Sequence, residues 1–367
     1  MITPPADTDA QPIEHAAIHS LIATLPAAAR DVAAHAIVTA FPGGVLQSVE
    51  PIHGGMSGSL VCKIVIDQQP YVLRLNQQQN AFNNPQRQFA CMQIAADIGV
   101  APHVVYADAE RGVSICAYVA PPTIPVARDA VQLGALIGAL HRGPAFPANR
   151  DAFQFIDDAF AELTAGAHAL PRLVEELLPR YAATKVALTA HLTLAPCHND
   201  LNPGNVLTDG ARLWLVDWDS AALGDPMYDL AGLIHWFGLD DARTAAFLTA
   251  YFGRAPTAHE AAKLQLMEQV SWCAYTLIFL QISSGPDGFG DVDAIPRTSL
   301  PSFVDALGEL RRGELQLQHV AARRRLALVM ANQSLNAMDK PVFHAAMQQL
   351  MTHETQPLSD LAAALPT

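Results

Sequence analysis

The order of hydrophobic periods along the chain restricts the fold more than any other feature. Up to about residue 120 the apolar residues come in short runs broken by turn residues. Leu60, Cys62, Ile64 and Ile66 fall on alternate positions, as in a strand with one buried face. Residues 45–53, 71–75, 104–108 and 113–119 read as further strands, with a helix over 85–98 among them. A helix over 14–41 precedes this stretch and stops at Pro42-Gly43-Gly44. After Pro121-Pro122 the period turns helical: 131–141, 152–165, 173–190 and nearly everything from Met227 onward. Only residues 194–219 return to short apolar runs, arranged around a polar loop. Strands and helices segregated in this way predict an α+β fold, a small antiparallel β lobe with one helix followed by a larger helical lobe. The expected boundaries are 1–42 for an N-terminal tail and helix, 43–120 for the β-rich lobe, 121–310 for the helical lobe and 311–367 for a C-terminal helical extension.

Composition narrows the function classes. The chain is 51% hydrophobic and 16% charged, enough apolar material for sizeable cores. Its formal net charge of −13 argues against a nucleic-acid partner, which needs basic surface. It leaves room for a nucleotide ligand, whose phosphates local donors and a metal can offset. The five cysteines are scattered and form no CxxC pair, so they read as buried thiols in a reducing compartment. The N-terminus has acidic residues and no basic leader, and the most apolar helical stretch, 272–282, is too short to span a bilayer. Cytoplasm is the expected location, with no membrane span.

The polar loop is His198-Asn199-Asp200-Leu201-Asn202-Pro203-Gly204-Asn205, and Val216-Asp217-Trp218-Asp219 follows it. Two apolar runs, 192–196 and 213–216, hold it in place. A carboxylate and a carboxamide five residues apart, then a carboxylate at a strand end, are the groups phosphoryl transfer uses. One carboxylate orients the attacking hydroxyl and takes its proton. The amide oxygen and the second carboxylate supply the hard oxygens that Mg2+ prefers. Asp225-Pro226 reads as an N-cap followed by Pro at the first helical position, with Asp229 in the first turn.

These segments, with Gly224-Asp225-Pro226 and Asp229-Leu230-Ala231, resemble the aminoglycoside phosphotransferase and choline kinase superfamily of protein-kinase-like bilobal folds, and within it the bacterial choline/ethanolamine kinases. The resemblance implies an ATP- and Mg2+-dependent kinase acting on a small-molecule hydroxyl. It makes Asp200 the catalytic base, and Asn205 and Asp217 metal ligands. Asp219 becomes a second acidic position at the metal. His198 and Asp229 would support the loop, Asp229 by bonding its backbone N–H groups. Only five residues separate Asp219 from Asp225, which leaves no activation segment and no platform for a protein substrate.

In the β lobe, Gly55, Ser57, Gly58 and Ser59 lie in a small-residue turn suited to covering phosphates. Arg74 stands where a kinase places its phosphate-holding Lys, and Gln88 stands where the partner Glu is expected. The nucleotide base would lie near Ala117 to Val119. In the helical lobe, Trp236, Trp272 and Tyr275 are candidates for the acceptor pocket. Trp272-x-x-Tyr275 resembles the Trp-x-x-Trp helix of choline kinases, whose aromatic faces attract quaternary ammonium. Aromatics so spaced also serve as helix core. Choline, ethanolamine or a similar amino alcohol is the leading acceptor. An aminoglycoside, thiamine, homoserine or a sugar is the alternative, and a nucleotide-binding regulatory protein without turnover is the reading from another class. The run Arg323-Arg324-Arg325 reads as a solvated helix face. Oligomeric state is not readable.

Overall fold

The computed structural model describes residues 18, 20–52, 58–76, 84–121, 129–165, 169–285 and 288–352. In chain order its elements are α1 (Ala27–Ala40), β1 (Leu46–Pro51), β2 (Leu60–Ile66), β3 (Gln69–Leu75), α2 (Pro85–Asp97), β4 (Val104–Asp108), β5 (Val113–Ala117), α3 (Ala130–His141), α4 (Ala152–Ala165) and α5 (Arg172–Thr189). Then come β6 (Ala195–Cys197), β7 (Val206–Thr208), β8 (Leu213–Leu215), β9 (Ala222–Gly224), α6 (Pro226–Phe237), α7 (Asp241–Phe252), α8 (Ala258–Gln281), α9 (Phe303–Arg311), α10 (Val320–Met338) and α11 (Pro341–Thr352). The chain divides into two compact units, residues 1–128 with 204–221, and residues 129–203 with 222–367.

The first unit is a five-stranded antiparallel sheet in the order β1-β2-β3-β5-β4, backed by α1. The alternation in β2 buries Cys62, Ile64 and Ile66 against Ile37 and Ala33 of α1 and against Leu73 and Ile115 of the sheet. Burying each such aliphatic side chain contributes about 1.5–3 kcal/mol. Period two then sends Arg74 to the face opposite Leu73 and Leu75. Asp67 and Gln68, at φ 49° and 66°, make a tight left-handed turn between β2 and β3, and Asp67 Oδ1 accepts the Val45 N–H at 3.0 Å. The helix expected over 14–41 is broken in the described part: a short 3-10 turn, Ile22–Thr24, precedes α1, because Pro26 can only stand at its start. The β7–β8 hairpin joins this unit through Leu215 N to Val100 O at 2.8 Å.

The second unit is helical around α8, which is buried on nearly every side and starts with a Thr257–Glu260 capping box. Helices α3 and α7 cross so closely that a Cβ on Gly134 would sit 2.3 Å from the Phe247 carbonyl oxygen. Asp225 caps α6 by accepting from Met227 N at 2.9 Å and pairs with buried Lys263 at 2.6 Å. The expected solvated face at Arg323, Arg324 and Arg325 is instead pinned. Arg323 bonds the Leu317 carbonyl, Arg324 the Ser283 and Gly288 carbonyls, and Arg325 the Glu309 carboxylate. All five cysteines are free thiols, and no described helix is long and apolar enough to cross a membrane.

Candidate active site

In the second unit, strand β6 delivers the chain into the loop that carries Asp200. Asn199 takes a left-handed φ of 63°, costly for a residue with a side chain, so the surroundings must hold it. Asp229 does so. Its Oδ2 accepts the His198 N–H and its Oδ1 the Asn199 N–H, both at 2.7 Å. Its Oδ2 also lies 3.0 Å from His141 Nε2, and His141 Nδ1 lies 2.9 Å from the Tyr251 hydroxyl. Asp229 is 1% exposed, so its charge is fully enclosed by these donors. Asp200 remains half-buried, with one carboxylate oxygen accepting from Asn202 Nδ2 at 3.1 Å.

Side-chain atoms of His141, Cys197 and Asp229 lie within 4.8 Å of one another. Burial, then Asp229 and Asp225, push the Cys197 thiol well up. His141 and Asp229 are engaged with each other, with Tyr251 and with the loop N–H groups, so these two side chains work as a hydrogen-bonded brace for the loop.

The first unit holds the remaining acidic groups. The β7–β8 register pairs Val206 with Leu215, and Val216 N bonds the Asn205 carbonyl at 3.0 Å, so Asn205 and the segment leading to Asp217 share the open end of the hairpin. Asp217 is also left-handed, at φ 67°. Arg74 reaches both carboxylates: Nη1 donates to Asp217 Oδ1 at 2.7 Å, and Nη2 to Asp219 Oδ2. It further bonds Ser59 Oγ at 3.1 Å and, through Nε, Asn76 Oδ1 at 3.2 Å. Burial works against the Arg74 charge, yet Asp217 and Asp219 raise its pKa above the ordinary value. Burial lifts the Asp219 carboxyl to about 6, with Arg74 pulling it down and Asp217 pushing it up.

Gln88 meets Asn76 rather than Arg74, accepting from Asn76 Nδ2 at 2.6 Å, so the expected pairing becomes an Arg74–Asn76–Gln88 relay. The neighbouring Arg87, buried on α2, donates to the Asp219 carbonyl at 2.5 Å. Nothing in the sequence marks Arg87, Asn76 or His141 for these roles, since each acts on a group far away along the chain. Gly58 is left-handed at φ 69°, while Gly55 and Ser57 lie outside the described residues. Ala117 closes β5 opposite Tyr71, and Val119 lies just past the strand.

The aromatic candidates are all buried in the second unit. Trp236 and Tyr275 meet edge to face at 5.3 Å. Burial, then Asp200, raise the Tyr275 hydroxyl, and the same two causes act on Tyr228. Both phenols therefore lie within electrostatic reach of Asp200, a placement that nothing in the sequence marked for Tyr228. Trp272 turns elsewhere: it stacks on His235 at 3.7 Å and meets Phe303 edge-on at 4.6 Å.

The donor set Asn205, Asp217 and Asp219 consists of hard oxygens, and two neighbouring carboxylates sharing one guanidinium suit a divalent cation. These residues fit Mg2+.

A family model described as the phosphotransferase enzyme family matches residues 48–264. Protein LicA of Haemophilus influenzae is 33% identical over 73 residues, covering 20% of this chain and 27% of that protein. The chain thus spans about a quarter of the length of this curated relative. A choline/ethanolamine kinase family protein from Mesorhizobium loti has a similar structure, with TM-score 0.63, 22% identity and coverage of 88% of this chain and 99% of that one. Choline kinase LicA from Streptococcus pneumoniae gives TM-score 0.57, 18% identity and coverage of 72% and 94%. At these identities the likeness is one of fold, the protein-kinase-like α+β fold.

Proposed function

The chain belongs to the phosphotransferase enzyme family, and from that premise we propose that it moves the γ-phosphoryl group of ATP to the hydroxyl of choline, ethanolamine or a similar amino alcohol. The observation that carries the reading is the Asp229 brace on the Asp200 loop. It fixes backbone rather than side chain, and so sets the place from which the Asp200 carboxylate meets an incoming hydroxyl. Asp200 then orients that hydroxyl and takes its proton as the O–P bond forms. Arg74 and Arg87 hold the Asp217–Asp219 segment by side chain and by backbone, so the carboxylates need little reorganisation. Asn205, Asp217 and Asp219 would hold Mg2+, which would neutralise charge on the phosphates.

Tyr275, Trp236 and Tyr228 are the groups this reading gives to the acceptor. A cationic alcohol suits aromatic faces, the Asp200 charge and a net charge of −13. The packing of Trp272 on His235 weakens the two-aromatic cage and favours a second reading, another small alcohol such as an aminoglycoside, thiamine, homoserine or a sugar. Coupled ADP release with Mg-ATP, screened over these alcohols, separates the two. The highest kcat/KM is expected for choline or ethanolamine. Turnover of another class with none for amino alcohols overturns the acceptor and leaves the phosphotransferase standing.

A further inference from the structure

A cavity of about 270 Å³ opens in the second unit between α6, α8, α9 and the last two helices. Apart from its α6 side, the residues that form it lie beyond residue 264, where the family match ends. Trp272, Phe303 and Val342 give it apolar walls, and Glu268, His235 and Lys340 give it polar groups. Two of those groups have unmet capacity. His235 is 8% exposed, and among the described residues its Nδ1 has no hydrogen-bond partner. Burial takes its pKa down to about 3, so the ring is neutral, and Trp272 stacked at 3.7 Å fixes its plane. Glu268 accepts one hydrogen bond, from Gln265 Nε2 at 3.2 Å, and forms no ion pair among the described residues. Burial lifts its carboxyl to about 7.

A carboxylate with a single amide donor and a neutral imidazole, both on the wall of one cavity with aromatic faces, are complementary to an ammonium group even with Lys340 at the rim. The N–H donors satisfy both acceptors, the charge offsets Glu268, and an apolar body fills the rest. We propose that this cavity is a second ligand site, separate from the one Asp200 serves, and that it takes a small primary organic ammonium ion held by Glu268 and His235 against Trp272 and Phe303. Separation from Asp200 rests on two observations. No residue of the 198–203 loop lines the cavity. The shifts of His235 and Glu268 come from burial alone, whereas Tyr228 and Tyr275 also respond to Asp200. The site also gives the C-terminal helices a role, since Lys340 and Val342 stand at its wall.

Benzylammonium is the probe and benzyl alcohol its neutral counterpart, titrated into the full chain by calorimetry and ligand-observed NMR. Benzylammonium is expected to bind at least about tenfold more tightly than the alcohol, and Glu268→Gln to weaken it about ten- to hundredfold. Asp200→Asn should leave the affinity unchanged. Val342→Trp, at an exposed wall position, should block the cavity and abolish binding while the melting temperature holds; it carries the test if Glu268→Gln does not fold. Equal affinity for the alcohol, no binding to the wild type, wild-type affinity in a folded Val342→Trp variant, or binding lost in Asp200→Asn but kept in Glu268→Gln would each overturn the assignment.

Discussion

Asp229 in the second unit and the Asp217–Asp219 pair in the first are held by opposite means. Asp229 is enclosed, bonded to two backbone N–H groups and a histidine. Its partners are the loop itself, so the carboxylate and the conformation of residues 198–199 stand or fall together. Asp217 and Asp219 are gripped by one long side chain, Arg74, and Asp217 is 32% exposed at its side chain. A buried charge with short, fixed donors sets shape. A pair of which one member, Asp217, is partly exposed, held by a single long cation, keeps an oxygen that other ligands can reach. Removing a group of the first kind should therefore cost stability, and removing one of the second kind should cost substrate binding.

The sharpest break of this contrast is at the residue the brace presents. Asp200→Asn keeps the loop and removes the proposed proton acceptor. Turnover is expected to fall by ~10²–10⁴, with Mg-ATP affinity and melting temperature close to wild type. Wild-type turnover would remove Asp200 from the chemistry. Asp229→Asn comes next. An amide offers one acceptor oxygen where two backbone N–H groups now donate, so a donor faces a donor in a buried place. A loss of about 2–4 kcal/mol is expected in denaturant unfolding. A loss below the error of that measurement would mean the loop holds itself. Arg74→Lys replaces the fork by a single ammonium. The KM for Mg-ATP should rise about tenfold while the unfolding midpoint stays near wild type. A large stability loss with unchanged KM would place Arg74 with Asp229 as a shape-setting group.

The sequence showed these two regions unevenly. Alternation at Leu60, Cys62, Ile64 and Ile66 was enough to find β2, because period two has a direct physical cause in burial of one sheet face. The Asp225-Pro226 start of α6 was equally legible, since capping is local. The polar loop and its carboxylates were legible by residue type and spacing. What stayed hidden was everything set by reach across the chain. Arg87 bonds a carbonyl 132 residues away, and His141 meets a carboxylate 88 residues away. Gln88 stood at the expected position, yet its bond goes to Asn76, whose side chain no pattern singles out. The arginine run at 323–325 failed as a surface face for the same reason: carbonyl acceptors supplied by distant loops leave no mark in a sequence. The division of the chain was hidden too, because residues 204–221 join the first unit through contacts with the turn near Val100.

Glu268 gives the smallest effect and the finest test of the contrast. Like Asp229 it is a carboxylate of the second unit, but it has one amide donor and, among the described residues, no ion pair, although Lys340 lines the same cavity. Burial raises its pKa from 4.5 to about 7. The sign follows from proton linkage. Between those two values the unfolded chain has given up this proton and the folded chain keeps it. The contribution of Glu268 to stability is therefore complete below pH 4.5, declines as pH rises through the interval, and reaches its floor above pH 7. Glu268→Gln removes that slope. The melting temperature of the variant relative to wild type should climb from pH 4.5 to pH 7 and then level off. Because the cavity admits solvent, the climb should be a few degrees at most, but its direction is fixed. Saturating benzylammonium should flatten the wild-type slope, since it supplies the missing positive charge. A difference that is constant with pH would show that Glu268 is as well provided for as Asp229, and the distinction between an enclosed and an unpartnered carboxylate in this unit would be lost.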